Sequence, residues 1–115
     1  RIYIGPAGYQ LLYRNGTFSL SQEHESHQFA PSVDCLFTSF ARREAQDVIA
    51  MVLSGIGTDG ARGLLDLRLA GPTTLVQDPT TAAVSGMPEA AIAHGGALQI
   101  VPTQKLGRVI TASLA

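Results

Sequence analysis

The sequence predicts an α/β fold: a mostly parallel sheet with helices on both faces, three-layered and Rossmann-like, plus an antiparallel hairpin near the N-terminus. First, the unbroken apolar run at 48–53 is typical of a strand buried on both faces, in the middle of a parallel sheet. Second, a glycine-rich turn at 55–60 leads into a helical pattern at 61–70. Third, strand-like and helix-like segments alternate from residue 31 onward, which favours parallel pairing.

The hairpin is predicted at Asn15-Gly16, because this pair favours the tight turn that joins two antiparallel strands. Its strands are expected at 10–14 and 17–20. A short β-like run at 1–4 precedes them.

The first helix is predicted to begin at Pro31, a residue suited to a first helical turn, with Asp34 near the positive end of the helix dipole. Arg42 and Arg43 favour its last turn. Its apolar residues fall on one stripe and predict packing against the sheet: Val33, Leu36, Phe37 and Phe40.

The helix at 61–70 is predicted to be capped by Thr58 and to end at Gly71-Pro72. The later elements are predicted to be a strand at 73–76, a short helix at 88–94, a strand at 97–101 and a terminal helix at 105–114.

Composition limits the classes of function. Only 15% of the 115 residues are charged and 45% are hydrophobic, which indicates a piece of a larger domain. The net charge of −1 argues against nucleic-acid binding, and no apolar run approaches the roughly 20 residues needed for membrane insertion. The single cysteine, Cys35, forms no internal disulfide, which agrees with a cytoplasmic location.

Two hypotheses for the glycine turn follow from the residues alone. In one, Gly55, Gly57 and Gly60 form a G-x-G-x-x-G loop that cradles a phosphate, although Asp59 would place a negative charge there. In the other, the glycines close a turn and Asp59 caps the following helix.

The histidines do not define a metal or catalytic site by spacing. Glu23, His24, Glu25 and His27 are expected to form a solvated loop, and no metal is predicted. His94 is expected to cap a helix C-terminus. No Gly-x-Ser-x-Gly motif is present, so a triad contained in this chain is disfavoured.

The string from Gly55 to Gly63, Gly-Ile-Gly-Thr-Asp-Gly-Ala-Arg-Gly, resembles the aspartate-bearing loop of the bacterial chemotaxis protein-glutamate methylesterases. The resemblance covers nearly the whole chain, but only the second half of that catalytic domain, so 1–115 is interpreted as its C-terminal portion. Further matching segments are Tyr3-Ile4-Gly5-Pro6, Pro31-Ser32-Val33-Asp34, Gln77-Asp78 and Gly86-Met87-Pro88.

The resemblance implies that Asp59 is the acidic member of a Ser-His-Asp triad and that this chain supplies the aspartate only. It implies a backbone contribution of Ile56 to an oxyanion hole and no metal or cofactor. Phe29-Ala30 stand where the resembled family has a basic pair, so the contacts of those basic side chains are not expected in this chain. The implied active-site loop also contains Gly55, Gly57, Thr58 and Gly60.

The resemblance further implies hydrolysis of glutamate methyl esters on chemoreceptors, with glutamine deamidation, in the cytoplasm. The implied partners are the methylated receptor, the missing N-terminal half with the serine and histidine, and an upstream receiver domain. The alternative is a non-catalytic α/β interaction module derived from that domain. A serine in a glycine-rich turn and a histidine upstream of Arg1 would support the enzyme.

Overall fold

The computed structural model describes residues 1–22, 29–41 and 47–114. Within these residues the strands are β1 Gln10–Arg14, β2 Thr17–Ser21, β3 Ile49–Val52, β4 Thr73–Gln77 and β5 Gln99–Val101. The α-helices are α1 Val33–Ala41, α2 Ala61–Ala70, α3 Gly86–Ala93 and α4 Leu106–Leu114. Short 3₁₀ turns lie at Pro79–Thr81 and Thr103–Lys105. No helix in this described part is long and apolar enough to cross a membrane.

The predicted hairpin is confirmed. β1 pairs with β2 in antiparallel register, and the two turn residues Asn15 and Gly16 both adopt positive φ, at 52° and 80°. The β-like run at 1–4 is not a strand in the structure. Ile2 is 91% exposed and Ile4 84% exposed, and neither pairs with a strand among the described residues. Apolar composition alone therefore did not make this segment a strand.

The second sheet is parallel, as predicted, with strand order β3-β4-β5. Both crossovers step in the same direction across the sheet. Since such connections are right-handed, α2 and α3 lie on the same face. The buried core on that face contains Phe37, Val52, Leu64, Leu67 and Val76.

The opposite face of this sheet is also covered around β4. Successive strand residues point to opposite faces, so Leu75 lies on the other side from Val76. Leu75 is 0% exposed, and Val101 of β5 is buried as well.

Among the residues that the structure describes, β3 is not the central strand that the apolar run predicted. It lies at one edge of the described sheet, and its burial alternates: Ala50 and Val52 are buried, whereas Ile49 and Met51 are half-buried. The central and most deeply buried strand is β4. The predicted central position is therefore not observed in the described residues, where β3 pairs with β4 on one side only.

α1 joins the hairpin to the parallel sheet. It begins at Val33, two residues after the predicted start, and the described helix ends at Ala41, so Arg42 and Arg43 lie outside the described residues. Tyr13 of β1 stacks on Phe40 of α1 with ring centroids 4.4 Å apart. The backbone N–H of Tyr13 donates a 2.9 Å hydrogen bond to the Ser39 hydroxyl.

Candidate functional site

The predicted site loop connects the end of β3 to the start of α2, at the carboxyl edge of the parallel sheet. Gly57 and Gly60 adopt positive φ, at 92° and 95°, a conformation that side chains with a Cβ rarely take. The glycines therefore form the tight strand-to-helix turn that the sequence predicted. In open α/β sheets this edge is where sites are built.

Asp59 is the most heavily hydrogen-bonded side chain of this loop. Its Oδ1 accepts from the Ser32 hydroxyl at 3.0 Å and from the Asp34 N–H at 3.0 Å. Its Oδ2 accepts from the Val33 N–H at 2.8 Å. All three donors belong to the start of α1. The hypothesis that Asp59 caps its own helix is therefore wrong, since this carboxylate caps α1 instead.

The start of α2 is capped from α1 and not by Thr58. Gly60 occupies the N-cap position of α2 and provides no side-chain cap. Thr58 contributes only its carbonyl oxygen, which accepts from Ala61 N–H at 3.2 Å. The Asp34 Oδ1 accepts from the N–H of Gly60 at 3.1 Å and from the N–H of Gly63 at 2.8 Å.

Asp59 and Asp34 thus exchange roles across the contact between the two helices. Asp59, which precedes α2, caps α1, and Asp34, in the first turn of α1, caps α2; we call this arrangement the crossed caps. Each carboxylate lies at the positive end of a helix dipole, where negative charge is favoured. The two helix starts are therefore fixed relative to each other by charged hydrogen bonds.

The crossed caps argue against a phosphate cradle at this loop. A phosphate would need the N–H groups at the start of α2. Two of these, on Gly60 and Gly63, already donate to the Asp34 carboxylate. Two carboxylates at the site would also repel an anion.

Ile56 lies at the exposed apex of the loop, with 88% of its side chain accessible. The preceding residue is held on both sides: Gly55 N–H donates to the Val84 carbonyl at 2.9 Å, and Met87 N–H donates to the Gly55 carbonyl at 2.9 Å. No hydrogen bond within the described ranges engages the Ile56 amide. A backbone donor on a fixed support suits the oxyanion role expected for it.

A buried glutamine, Gln10, binds the segment that contacts Asp59, and no pattern in the sequence predicted this role. Gln10 is 0% exposed although it stands at the start of a hairpin strand. Its Nε2 donates to the Phe29 carbonyl at 2.6 Å, and its Oε1 accepts from Ser32 N–H at 2.8 Å. Gln10 therefore fixes Ser32, whose hydroxyl binds Asp59.

His94 does not join this site. It is the C-cap of α3, as predicted, and its Nδ1 lies 3.0 Å from the Ala90 carbonyl oxygen. No hydrogen bond in the described segments connects it to Asp59. The candidates Glu23, His24, Glu25 and His27 lie outside the described residues. Among the residues that are described, no His, Cys, Asp and Glu side chains group to hold a metal ion.

Comparison with known proteins identifies similar sequences along almost the whole chain. A family model described as CheB methylesterase matches residues 1–110. The chain is 43% identical to protein-glutamate methylesterase/protein-glutamine glutaminase 2 of Cupriavidus pinatubonensis, over 98% of this chain and 33% of that protein. It is 40% identical to a protein of the same name from Xanthomonas campestris pv. campestris, over 99% of this chain and 34% of that protein. The chain therefore spans about a third of the length of these relatives.

The fold is similar to a solved structure, the Thermotoga maritima CheB methylesterase catalytic domain. The TM-score is 0.79 at 28% identity, covering 92% of this chain and 57% of that chain. The predicted α/β class with its N-terminal hairpin is confirmed by this similarity and by the strand pairing.

Proposed function

This chain belongs to the CheB methylesterase family, and we propose that it supplies the acidic residue of a protein-glutamate methylesterase. The catalytic serine and histidine would lie elsewhere in a longer parent chain. The relatives carry the double name of methylesterase and glutaminase, so the proposed reactions are hydrolysis of glutamate methyl esters and deamidation of glutamine.

The observation that carries this proposal is the hydrogen bonding of Asp59. A carboxylate offers about four acceptor positions. Three are occupied, and only one of these, from Val33 N–H, is on Oδ2. Oδ2 therefore retains an acceptor position toward which an imidazole N–H can donate. The donors from α1 fix the carboxylate orientation before the histidine is added.

In the proposed mechanism Asp59 acts through the histidine. The serine oxygen attacks the ester carbonyl while the histidine removes its proton, and Asp59 stabilises the imidazolium that forms. The Ile56 N–H donates to the developing oxyanion. The imidazolium then protonates the leaving methoxide, methanol departs, and water hydrolyses the acyl-enzyme to the free glutamate. In deamidation, ammonia leaves in place of methanol.

The proposed substrates are methylated glutamates and specific glutamines of chemoreceptors in the cytoplasm. The proposed partners within the parent are the half-domain that carries the serine and histidine and, upstream of it, a receiver domain. Residues 56–58 would face the substrate, since they are the exposed part of the loop that carries Asp59.

The test is the substitution Asp59→Asn in the full-length parent, assayed by methanol release from methylated receptor. We expect turnover to fall by about 10³- to 10⁴-fold, because asparagine cannot hold the histidine tautomer or stabilise the imidazolium in the same way. A serine-reactive phosphonate should abolish the wild-type activity. Turnover within a few-fold of wild type in the variant would overturn the assignment of Asp59.

A further inference from the structure

We propose that Asp34 is a positioning residue that holds the Asp59 carboxylate in its catalytic orientation. The inference rests on the proposed function of Asp59 and extends it to a residue that would not touch substrate. Asp34 acts on Asp59 through two backbone N–H groups, its own and that of Gly60.

Asp34 is connected to Asp59 in two ways. Its own N–H donates to the Asp59 Oδ1 at 3.0 Å, which fixes one oxygen of the carboxylate. Its side-chain Oδ1 accepts from the N–H of Gly60, the residue that directly follows Asp59. The Asp59 side chain and the backbone that carries it are therefore both tied to one residue of α1.

The close packing of α1 against α2 allows the Asp34 carboxylate to contact the start of α2. A Cβ on Gly63 would lie 2.8 Å from the Cβ of Phe37 and 3.1 Å from the Cα of Asp34. Only a glycine permits α1 to approach α2 this closely. The approach places the short side chain of Asp34 within 2.8 Å of the Gly63 N–H.

Loss of the Asp34 oxygen would leave two amides without their acceptor. Gly60 and Gly63 are both buried, and a buried amide without a partner is costly. The loop would then shift toward another acceptor, and Asp59 would shift with it. A displacement of about 1 Å in a catalytic group can cost roughly 10²-fold in rate.

Two substitutions separate the geometry of Asp34 from its charge. Asp34→Asn keeps an acceptor oxygen at the same distance from the backbone and removes the charge. Asp34→Glu keeps the charge and moves the oxygens outward by one methylene. If Asp34 positions Asp59, the glutamate variant should lose about 10²-fold in kcat at nearly constant KM, because its oxygens are displaced. The asparagine variant should retain most of the wild-type kcat, because its acceptor oxygen stays in place.

A double-mutant cycle in the full-length parent tests whether Asp34 acts through Asp59. Adding Asp34→Glu to Asp59→Asn should cost little beyond the single Asp59→Asn, because the positioned carboxylate is already gone. Arg68→Ala is the control: it removes two hydrogen bonds, to the carbonyls of Gly95 and Ala97, near the other end of α2. Its kcat should stay within about two-fold of wild type.

Wild-type kcat in Asp34→Glu, or losses that multiply in the double variant, would overturn the positioning role while the function proposed for Asp59 stands. If Asp34→Glu and Arg68→Ala lower the melting temperature equally and also lower kcat equally, the kcat loss comes from destabilisation alone. That result would also overturn the positioning role of Asp34. If Asp59→Asn itself keeps normal turnover, the proposed function falls, and the inference about Asp34 falls with it.

Discussion

The substitution Asp59→Ala should destabilise the parent domain as well as inactivate it. In the structure this carboxylate accepts three hydrogen bonds from the start of α1, donated by the Ser32 hydroxyl and by the N–H groups of Val33 and Asp34. Alanine removes all three acceptors at once. A role confined to catalysis would predict no stability change.

The expected magnitude follows from those bonds. A hydrogen bond contributes a net of about 1 kcal/mol, and one to a charged group about 1.5–3 kcal/mol. Asp59 is only half-buried, so water replaces part of each interaction when the carboxylate is removed. We therefore use about 1 kcal/mol for each hydrogen bond. Three bonds then correspond to about 3 kcal/mol, somewhat more than the roughly 0.5–2 kcal/mol of an ordinary helix cap.

Asp59→Asn should lie between alanine and wild type. Its carbonyl oxygen can replace Oδ1 and accept from Ser32 and Asp34, but its amide group would then point its own hydrogens at the Val33 N–H. The loss of one bond predicts about 1 kcal/mol of destabilisation. Ordinary capping, in which asparagine is nearly equivalent to aspartate, predicts almost none.

The measurement is urea unfolding of the parent catalytic domain, with the free energy obtained by linear extrapolation. Asp78→Ala is the matched control, because Asp78 caps the exposed turn Pro79–Thr81 through two bonds to Thr80. This control should cost about 1 kcal/mol, the typical value for a cap, because both of its hydrogen bonds are exposed to solvent. If Asp59→Ala costs no more than Asp78→Ala, the crossed caps do not stabilise the domain and the reasoning is refuted.

Two predictions concern the 115-residue chain alone. It should release no methanol from methylated receptor above background, because removing all three residues of a serine-protease triad costs about 10⁶-fold in rate; turnover that a serine-reactive phosphonate abolishes would contradict this. It should also associate or unfold without cooperativity, because β3 has a strand neighbour on one side only in the described residues, and Ile2 and Ile4 are largely exposed. A cooperative melt together with a monomeric mass at tens of micromolar would show instead that the chain folds independently.

The sequence alone was sufficient to predict those features that depend on the chemistry of neighbouring residues. Asn15-Gly16 predicted the hairpin because a tight turn needs residues that tolerate positive φ. α2 was predicted with the bounds that the structure shows, Ala61–Ala70, because a glycine lies at each end. The position of Asp59 at the carboxyl edge of the sheet followed from the strand, turn and helix order.

Only the tertiary structure decided which groups those residues bind. Asp59 and the α1 residues it contacts are at least 25 positions apart, and no periodicity or spacing connects them. The sequence assigned each aspartate to the helix nearest in the chain, since local capping rules consider only neighbouring residues. The close approach of α1 and α2 at Gly63 brings each carboxylate within hydrogen-bond distance of the other helix. Asp59 therefore caps α1, and Asp34 caps α2. Contacts of this kind depend on how two elements pack, and packing is a property of the folded chain as a whole.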